Sequence, residues 1–399
     1  MEIRADFHIH SKYARATSKD MDIDHLAKFA KIKGLDVVGT GDFTHPKWLN
    51  EIENKLEEQD GLLKLKDFSS DVKFILSGEI SSIYTQDGKV HRVHNLILMP
   101  SIESVKKLND ELRSRGCNLN SDGRPIIGLS SKQLLEIVLE TDKEAVFIPA
   151  HIWTPWFSLF GSKSGFNTIE DCFQELTPFI KTMETGLSSD PEMNWKFSLL
   201  DNITLISNSD SHSPDNLARE CNVLNCDLSY ISIADAIQSD DKNKFLYTVE
   251  FYPEEGKYHY DGHKDCNICL SPEESKKYNN LCPVCHKPLV IGVANRVFEL
   301  ADKEKIDISN KIPFKSLIPL KQIISQILNT GVSSKKVISY YNFLIEKFGN
   351  ELDILIKIEQ KQFDEAGFND IGEKIAKMRK NEVERKPGYD GVYGVIRVL

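Results

Sequence analysis

The chain of 399 residues contains no run of about 18 apolar residues, so no membrane-spanning helix is expected. It shows no basic-then-apolar leader, because the N-terminus enters an apolar strand pattern at once, and a cytoplasmic protein is the expectation. Neither a Gly-rich phosphate loop nor a nucleophile elbow is present, which leaves nucleotide-driven and serine chemistries unsupported. There is no internal repeat and no low-complexity linker. Cysteine is sparse, at eight residues, and four of these (Cys117, Cys172, Cys221 and Cys226) are scattered as small buried residues would be.

What remains is an ordinary globular composition, 40% hydrophobic and 28% charged, long enough for one large domain with smaller ones attached. The net charge of −10 argues against generic nucleic-acid affinity, but it is uneven. Residues 303–399 hold 17 Lys+Arg against 13 Asp+Glu, a surplus of +4, so the preceding part carries −14. Carboxylates gathered for metal binding would give such an acidic front, as would a plain solvated surface.

Apolar runs at 2–7, 36–39, 73–77, 94–99, 145–149, 179–183 and 203–207 read as strands, with amphipathic helices at 22–33, 102–115, 131–140 and 192–200 between them. Alternation of this kind predicts an α/β fold with a parallel sheet, closed as a barrel; a doubly wound open sheet is the alternative. Polar residues follow the strands in a repeating way. His8 and His10 follow the first, on one face because strand side chains alternate. Asp42 and His45 follow the second, Glu79 the third, His151 the fifth, Glu184 the sixth, and Asp210 and His212 the seventh. His94 stands apart, at the start of its run, with His91 competing for its role. Strand C-termini ring one mouth in such folds, which turns weak single signals into a joint one. Imidazoles and carboxylates there suit Zn, Mg or Mn, and bridging acids such as Glu79 and Asp210 would hold two or three metals a few Å apart for phosphoester hydrolysis.

Cys266, Cys269, Cys282 and Cys285 form C-x2-C, twelve residues, C-x2-C, the spacing of a closed structural zinc site. The neighbouring His259 and His263 read as surface or packing residues, since four thiolates fill a tetrahedron. From 301 onward helices are expected at 312–328, 334–348, 351–363 and 367–383, followed by a Gly- and Tyr-rich tail at 386–394. The expected domains are therefore a barrel at 1–250, a zinc module at 251–300 and a helical region at 301–399 that contacts DNA. Ser334, Val337, Tyr340 and Tyr341 weakly resemble a sliding-clamp-binding box that lacks its Gln.

The segments HIH (8–10), GDFTH (41–45), GEI (78–80), His94, PAH (149–151) and SNSDSH (207–212) together resemble the PHP superfamily. That resemblance implies a distorted seven-stranded (βα) barrel with a multinuclear metal centre. Carried over by residue, the ligands would be His8, His10, Asp42, His45, Glu79, His94, His151, Asp210 and His212. The second motif departs from Thr-Asp-His, and no His lies near position 16, which leaves the third metal position open.

The whole chain, with its four-cysteine module, helical region and PGYDGVYG tail, is similar to the endonuclease Q family, as are HIWTPWFSLFGSKSGF (151–166) and ETGLSSDPEMNW (184–195). The family implies a DNA-repair endonuclease that cuts 5′ to deoxyuridine, deoxyinosine, deoxyxanthosine or an abasic site and leaves 3′-hydroxyl and 5′-phosphate ends; a monomer would suffice for this. It also implies Asp190 as an essential acid beside the metals, with Asp210 and Glu79. Damaged bases must leave the stack to be read. Trp153, Trp156, Phe157 and Phe160 are candidates to stack on or wedge at the lesion, and Ser188 and Ser189 to contact DNA. The rival readings are a small-molecule phosphatase of the histidinol-phosphatase type and a DNA-binding scaffold with a degenerate metal site.

Overall fold

Nine of the twelve strands in the first 250 residues frame the site. They are β1 (Glu2–Asp6), β2 (Val37–Gly39), β3 (Lys73–Gln86), β4 (Lys89–Met99), β5 (Val146–Pro149), β6 (Thr182–Glu184), β7 (Thr204–Ile206), β8 (Cys221–Asn225) and β9 (Phe245–Glu250). The computed structural model describes residues 1–399. β1, β2 and β3 pair in parallel, and β6 pairs β7 in parallel. β4 runs antiparallel to both β3 and β5. The sheet is therefore mixed, where the sequence predicted a parallel one. The apolar runs at 73–77 and 94–99 are pieces of one long hairpin, and a hairpin's two strands must run in opposite directions.

The strands enclose a common interior. Alternate residues Ile3, Ala5, Phe7, Ile75, Leu96, Leu98, Val146 and Ile148 share one core cluster with Ile206 and with Ile233 and Ile237 of the helix Tyr230–Gln238. The period of two is what one buried strand face requires. Where ladders stop, other groups close the gaps. The Ile152 N–H donates to Glu184 O (3.1 Å) between the ends of β5 and β6. Between β7 and β1, Asn208 Oδ1 accepts from Phe7 N (2.8 Å), and Asn222 Nδ2 donates to both Ser207 O and Ala5 O.

Helix Ile23–Lys33 shows how local chemistry sets an element. Asp22 caps its start by accepting from His25 N, and Gly34 ends it at φ 90°, bonding Ala30 O and Lys31 O. A Cβ on Gly34 would lie 2.2 Å from Asn350 Oδ1, so glycine also permits close docking of the C-terminal region. That region packs on the same side through Lys33–Glu351 (2.6 Å) and Arg4–Asp353 (2.6 Å).

Several predicted elements are shorter or different. The expected helix at 192–200 is only Pro191–Asn194 plus a 3-10 turn at Ser198–Leu200. Residues 312–328 divide into a strand, Phe314–Ser316, that pairs β9, and a helix, Leu320–Leu328, that starts after Pro319. The 351–363 helix breaks into Glu351–Ile356 and Gln360–Glu365. Val383–Lys386 and Val395–Val398, at the end of the chain, form an antiparallel pair that helical periodicity did not reveal. No helix is long and apolar enough to cross a membrane.

Candidate metal centre

His8 and His10 extend past the end of β1 with their ring centroids 5.4 Å apart. Each ring is turned by a carboxylate behind it. His8 Nδ1 lies 3.0 Å from both oxygens of Glu184, and His10 Nδ1 lies 3.0 Å from Asp42 Oδ1. A carboxylate at Nδ1 keeps the proton there and aims the Nε2 lone pair forward, the usual support of metal-ligating histidines. His8 Nε2 is fully buried and has no hydrogen-bond partner.

Two groups of ligand atoms form, each within 4.8 Å: His8, His10 and Asp210, and Glu79, His94 and His151. Glu79 joins them. Its Oε1 lies 2.6 Å from His94 Nδ1 and 3.1 Å from His151 Nε2. Its Oε2 lies 3.3 Å from His10 Nε2, 3.5 Å from His8 Nε2 and 3.1 Å from Arg124 Nη1. Asp210 Oδ1 completes the first group, 3.0 Å from His10 Nε2. Left-handed backbone occurs at the donors His151 (φ 31°) and Asp210 (φ 45°) and at Asp42 (φ 46°) behind His10, and such non-glycine conformations cluster at functional sites.

Electrostatics follow from the crowding. Burial opposes charge on His8 and His10, but the surrounding carboxylates outweigh it and hold both imidazoles well above their ordinary value. Burial likewise opposes ionisation of Glu79, which His94, Arg124 and His8 nevertheless keep well below the usual range. His94 is lowered to about 4, first by burial. A cluster that retains its anions and must draw protons onto histidines is one that divalent cations would neutralise instead.

The other expected ligands fall around these six. Asp42 stands behind His10 and accepts from Ser11 N and Oγ (both 2.6 Å). His45 is buried against Tyr13, with ring centroids 4.6 Å apart. His212 lies tilted against His10, with ring centroids 4.5 Å apart and Nδ1 bonded to Asp210 O. His94 enters the site because β4 is antiparallel, so the start of that strand reaches the mouth: Ser81 pairs with His94, two residues beyond Glu79 on the same face. His91 instead stacks on Phe166 at 3.8 Å.

Asp190 joins neither group. It caps the helix Pro191–Asn194 by accepting from Met193 N (2.8 Å), and burial raises its pKa to about 6. One contributor is absent from the sequence reading: Arg124, which lies in a loop without periodic signal. Glu184, which that reading places on the rim as a strand-end acid, supports His8 from behind.

The aromatic candidates separate by burial. Trp153 and Phe160 are fully buried, and Trp153 Nε1 donates to Asn194 Oδ1 (2.7 Å), so both are core residues rather than surface ones. Ser189 is buried as well, with Oγ donating to Thr185 O. Trp156 is 40% exposed and meets Tyr258 edge-on at 6.0 Å. Phe157 covers His94 at 4.8 Å. Beside them a groove of about 830 Å³ runs from Ser188 and Ser213 to Lys257, Tyr258, Lys321 and Tyr393.

In the cysteine module, His263, Cys266, Cys282 and Cys285 come together. Cys269, expected as the fourth thiolate, lies outside, with Sγ 3.8 Å from Pro387 O. The reason is register. Asp261–His263 pairs Ile268–Leu270, with Gly262 opposite Cys269 and His263 opposite Ile268, so Cys269 and His263 point to opposite faces. The residues of the clamp-like box are mostly inward: Val337 and Tyr341 are buried, and Tyr340 packs on Phe368.

Two solved structures match the chain from end to end. The lesion-specific endonuclease PfuEndoQ from Pyrococcus furiosus is 30% identical with a TM-score of 0.89, covering 100% of this chain and 96% of that one. A structure of endonuclease Q with a 27-mer duplex carrying an abasic lesion at its active site is also 30% identical, with a TM-score of 0.87 and coverage of 100% and 97%. The uncharacterized protein YqxK of Bacillus subtilis is 27% identical over 427 residues, covering 99% of each chain. The uncharacterized protein MJ0043 of Methanocaldococcus jannaschii is 34% identical over 251 residues, 61% of this chain but only 31% of that longer relative. A family described as the MJ0043 C-terminal domain matches residues 319–382.

Proposed function

The chain belongs to the endonuclease Q family, and from that premise we propose a metal-dependent DNA-repair endonuclease that hydrolyses the phosphodiester 5′ to a deaminated or abasic nucleotide. The observation that carries the reading is the pair of donor groups joined through Glu79, with one carboxylate oxygen facing each group. The donor set fits divalent ions: an orphaned buried imidazole nitrogen, histidines oriented from behind, and acids held ionised. Metals bound by His8, His10, Asp210, Glu79, His94 and His151 would polarise the phosphodiester and make water acidic enough to attack near neutral pH. We read β1–β7 as the distorted seven-stranded barrel of the PHP superfamily, and residues 1–250, 251–300 and 301–399 as its three working parts.

The reaction balances simply. A water oxygen bonds to phosphorus and the P–O3′ bond breaks. One water proton passes to the departing 3′-oxygen and the other to solvent, leaving a 3′-hydroxyl and a 5′-phosphate. Asp190 orders the loop Gly186–Asn194 beside the mouth through its cap, so its contribution is positional. Trp156 and the groove between Ser188 and Tyr393 supply the surface on which a displaced nucleotide and its flanking phosphates rest. Uracil, hypoxanthine and xanthine share a carbonyl where their parent bases carry an amine, so one backbone N–H would accept all three. Zinc in the cysteine module is structural in this reading.

The test is cleavage of end-labelled duplexes containing one uracil, hypoxanthine or abasic site, with Mg or Mn, beside an undamaged duplex. A single cut 5′ to the lesion that disappears in Asp210→Ala supports the reading. Phosphate release from a small monoester with every duplex intact would replace it with the phosphatase. If Trp156→Ala cuts uracil DNA like the parent, that side chain has no part in lesion recognition.

A further inference from the structure

Arg124 is the one lysine or arginine that pairs with a carboxylate of the donor cluster, through Nη1 to Glu79 Oε2 at 3.1 Å. Its side chain is 29% exposed while Glu79 is fully buried, so the guanidinium forms part of the wall of the mouth. Of its five N–H donors, only this one is engaged by the protein. The other four remain available to a ligand.

The backbone around Arg124 is pinned to the same segments that carry the donors. Asp122 Oδ1 accepts from Arg124 N (3.1 Å) and from Arg15 N (3.2 Å). Gly123 N donates to Tyr13 O (3.1 Å), Thr44 Oγ1 donates to Gly123 O (3.3 Å), and Ser81 N donates to Pro125 O (3.0 Å). Gly123 sits so tightly on Asp42 that a Cβ there would lie 2.3 Å from Asp42 Oδ2. The loop is thus fastened to the ends of β1 and β2 and to β3, on both sides of the arginine. A loop that only bridged two elements would not need so exact a seat against a residue supporting His10.

We propose that Arg124 is a catalytic residue: its guanidinium binds a non-bridging oxygen of the scissile phosphodiester and stabilises the charge that grows there during P–O3′ cleavage. This rests on the phosphodiester reading above. The planar fork matches phosphate oxygens and is always charged, which a lysine at the same place would reproduce only as a point charge. Its second job, contact with Glu79, fixes the plane of the fork without using up its donors.

The test compares wild type, Arg124→Lys and Arg124→Ala in single-turnover cleavage of a labelled duplex with one abasic site, and in hydrolysis of bis(p-nitrophenyl) phosphate, with metal content measured in each. Arg124→Ala should slow both reactions by about a hundredfold, the size expected for one lost charge-stabilising donor. Metal content and duplex affinity should stay close to wild type, and added guanidinium ion should restore part of the alanine variant's rate. Arg124→Lys should fall between. An alanine rate within a few-fold of wild type overturns the proposal. So does a rate loss that tracks metal loss and ignores guanidinium, which would mean that Arg124 merely holds Glu79. Should wild type cleave the small diester but no lesion, the lesion reading falls and Arg124 is judged on the diester; should it cleave neither, both fall together.

Discussion

His8 donates from Nδ1 to Glu184 and keeps Nε2 free, so Glu184→Gln alters orientation without deleting a ligand atom. Glutamine can still accept that hydrogen bond but no longer holds the ring with charge. We expect divalent-metal affinity to drop about 10–100-fold, with activity recovering at high metal, as measured by metal titration against cleavage rate. Recovery would be absent if Glu184 served only the fold. A different buried acid sets a pH dependence. Glu250 accepts from Ser207 Oγ and Thr248 Oγ1, and burial pushes its pKa up to about 8. An unfolded glutamate titrates near ~4.3, so between these values the folded chain binds more protons than the unfolded one and stability falls as pH rises. Glu250→Gln should flatten that fall, seen as a smaller difference in Tm between pH 5 and pH 8.5 than wild type shows. At this scale much of the site was legible: a period of two gave His8 and His10 one face, and strand ends gave Glu79, His151 and Asp210. Arg124 was not, because nothing local marks a loop residue whose partner is 45 positions away. Trp153 and Trp156 were equally aromatic on paper, and only packing separates the core ring from the exposed one.

Directions of strands and lengths of helices depend on partners that a local pattern does not contain. The β3–β4 hairpin had its apolar pieces in view, yet their antiparallel sense decides why His94 reaches the mouth from the start of its strand. The helix expected at 351–363 has the right composition, but it stops at Ile356 and resumes at Gln360 under a new cap at Glu359. Its first residue has a long-range role. Glu351 accepts from Lys33 Nζ (2.6 Å), Tyr341 Oη (2.7 Å) and Leu320 N (3.0 Å), and both charged side chains are only 6% exposed. Removing one partner of a buried pair strands the other charge, at a cost of about 3–5 kcal/mol. Lys33→Met should therefore lower the urea midpoint and speed proteolysis within 320–379 before the rest of the chain is cut. An unchanged midpoint with unchanged protease sensitivity would show that these helices dock by their apolar faces alone.

Across the whole molecule, the acidic front holds the candidate metal centre, and the groove is lined by both parts, Ser188, Arg219 and Tyr258 from the front and Lys321, Gln322 and Tyr393 from the mildly basic end. The tail ties the parts together: Tyr389 Oη donates to Asn267 Oδ1 (2.8 Å), Lys264 N donates to Asp390 Oδ2 (2.6 Å), and Gly388 N donates to Glu254 O (2.8 Å). Tyr393, on that same tail, lies under Lys257 at 4.5 Å in the groove. The module is therefore tied, through the tail, to the groove rather than to the metal donors. Cys282 is buried, and although burial opposes its ionisation, the backbone N–H groups of Cys285 and Val284 outweigh that and lower its pKa, as a metal-binding thiolate needs. Cys282→Ser should release zinc, raise hydrogen exchange through 386–394 and weaken binding of lesion duplexes, more so at higher salt. Hydrolysis of bis(p-nitrophenyl) phosphate, which needs only the mouth, should keep its rate. Loss of both activities in step would mean that the module supports the barrel itself, and that grip and chemistry are one folding unit.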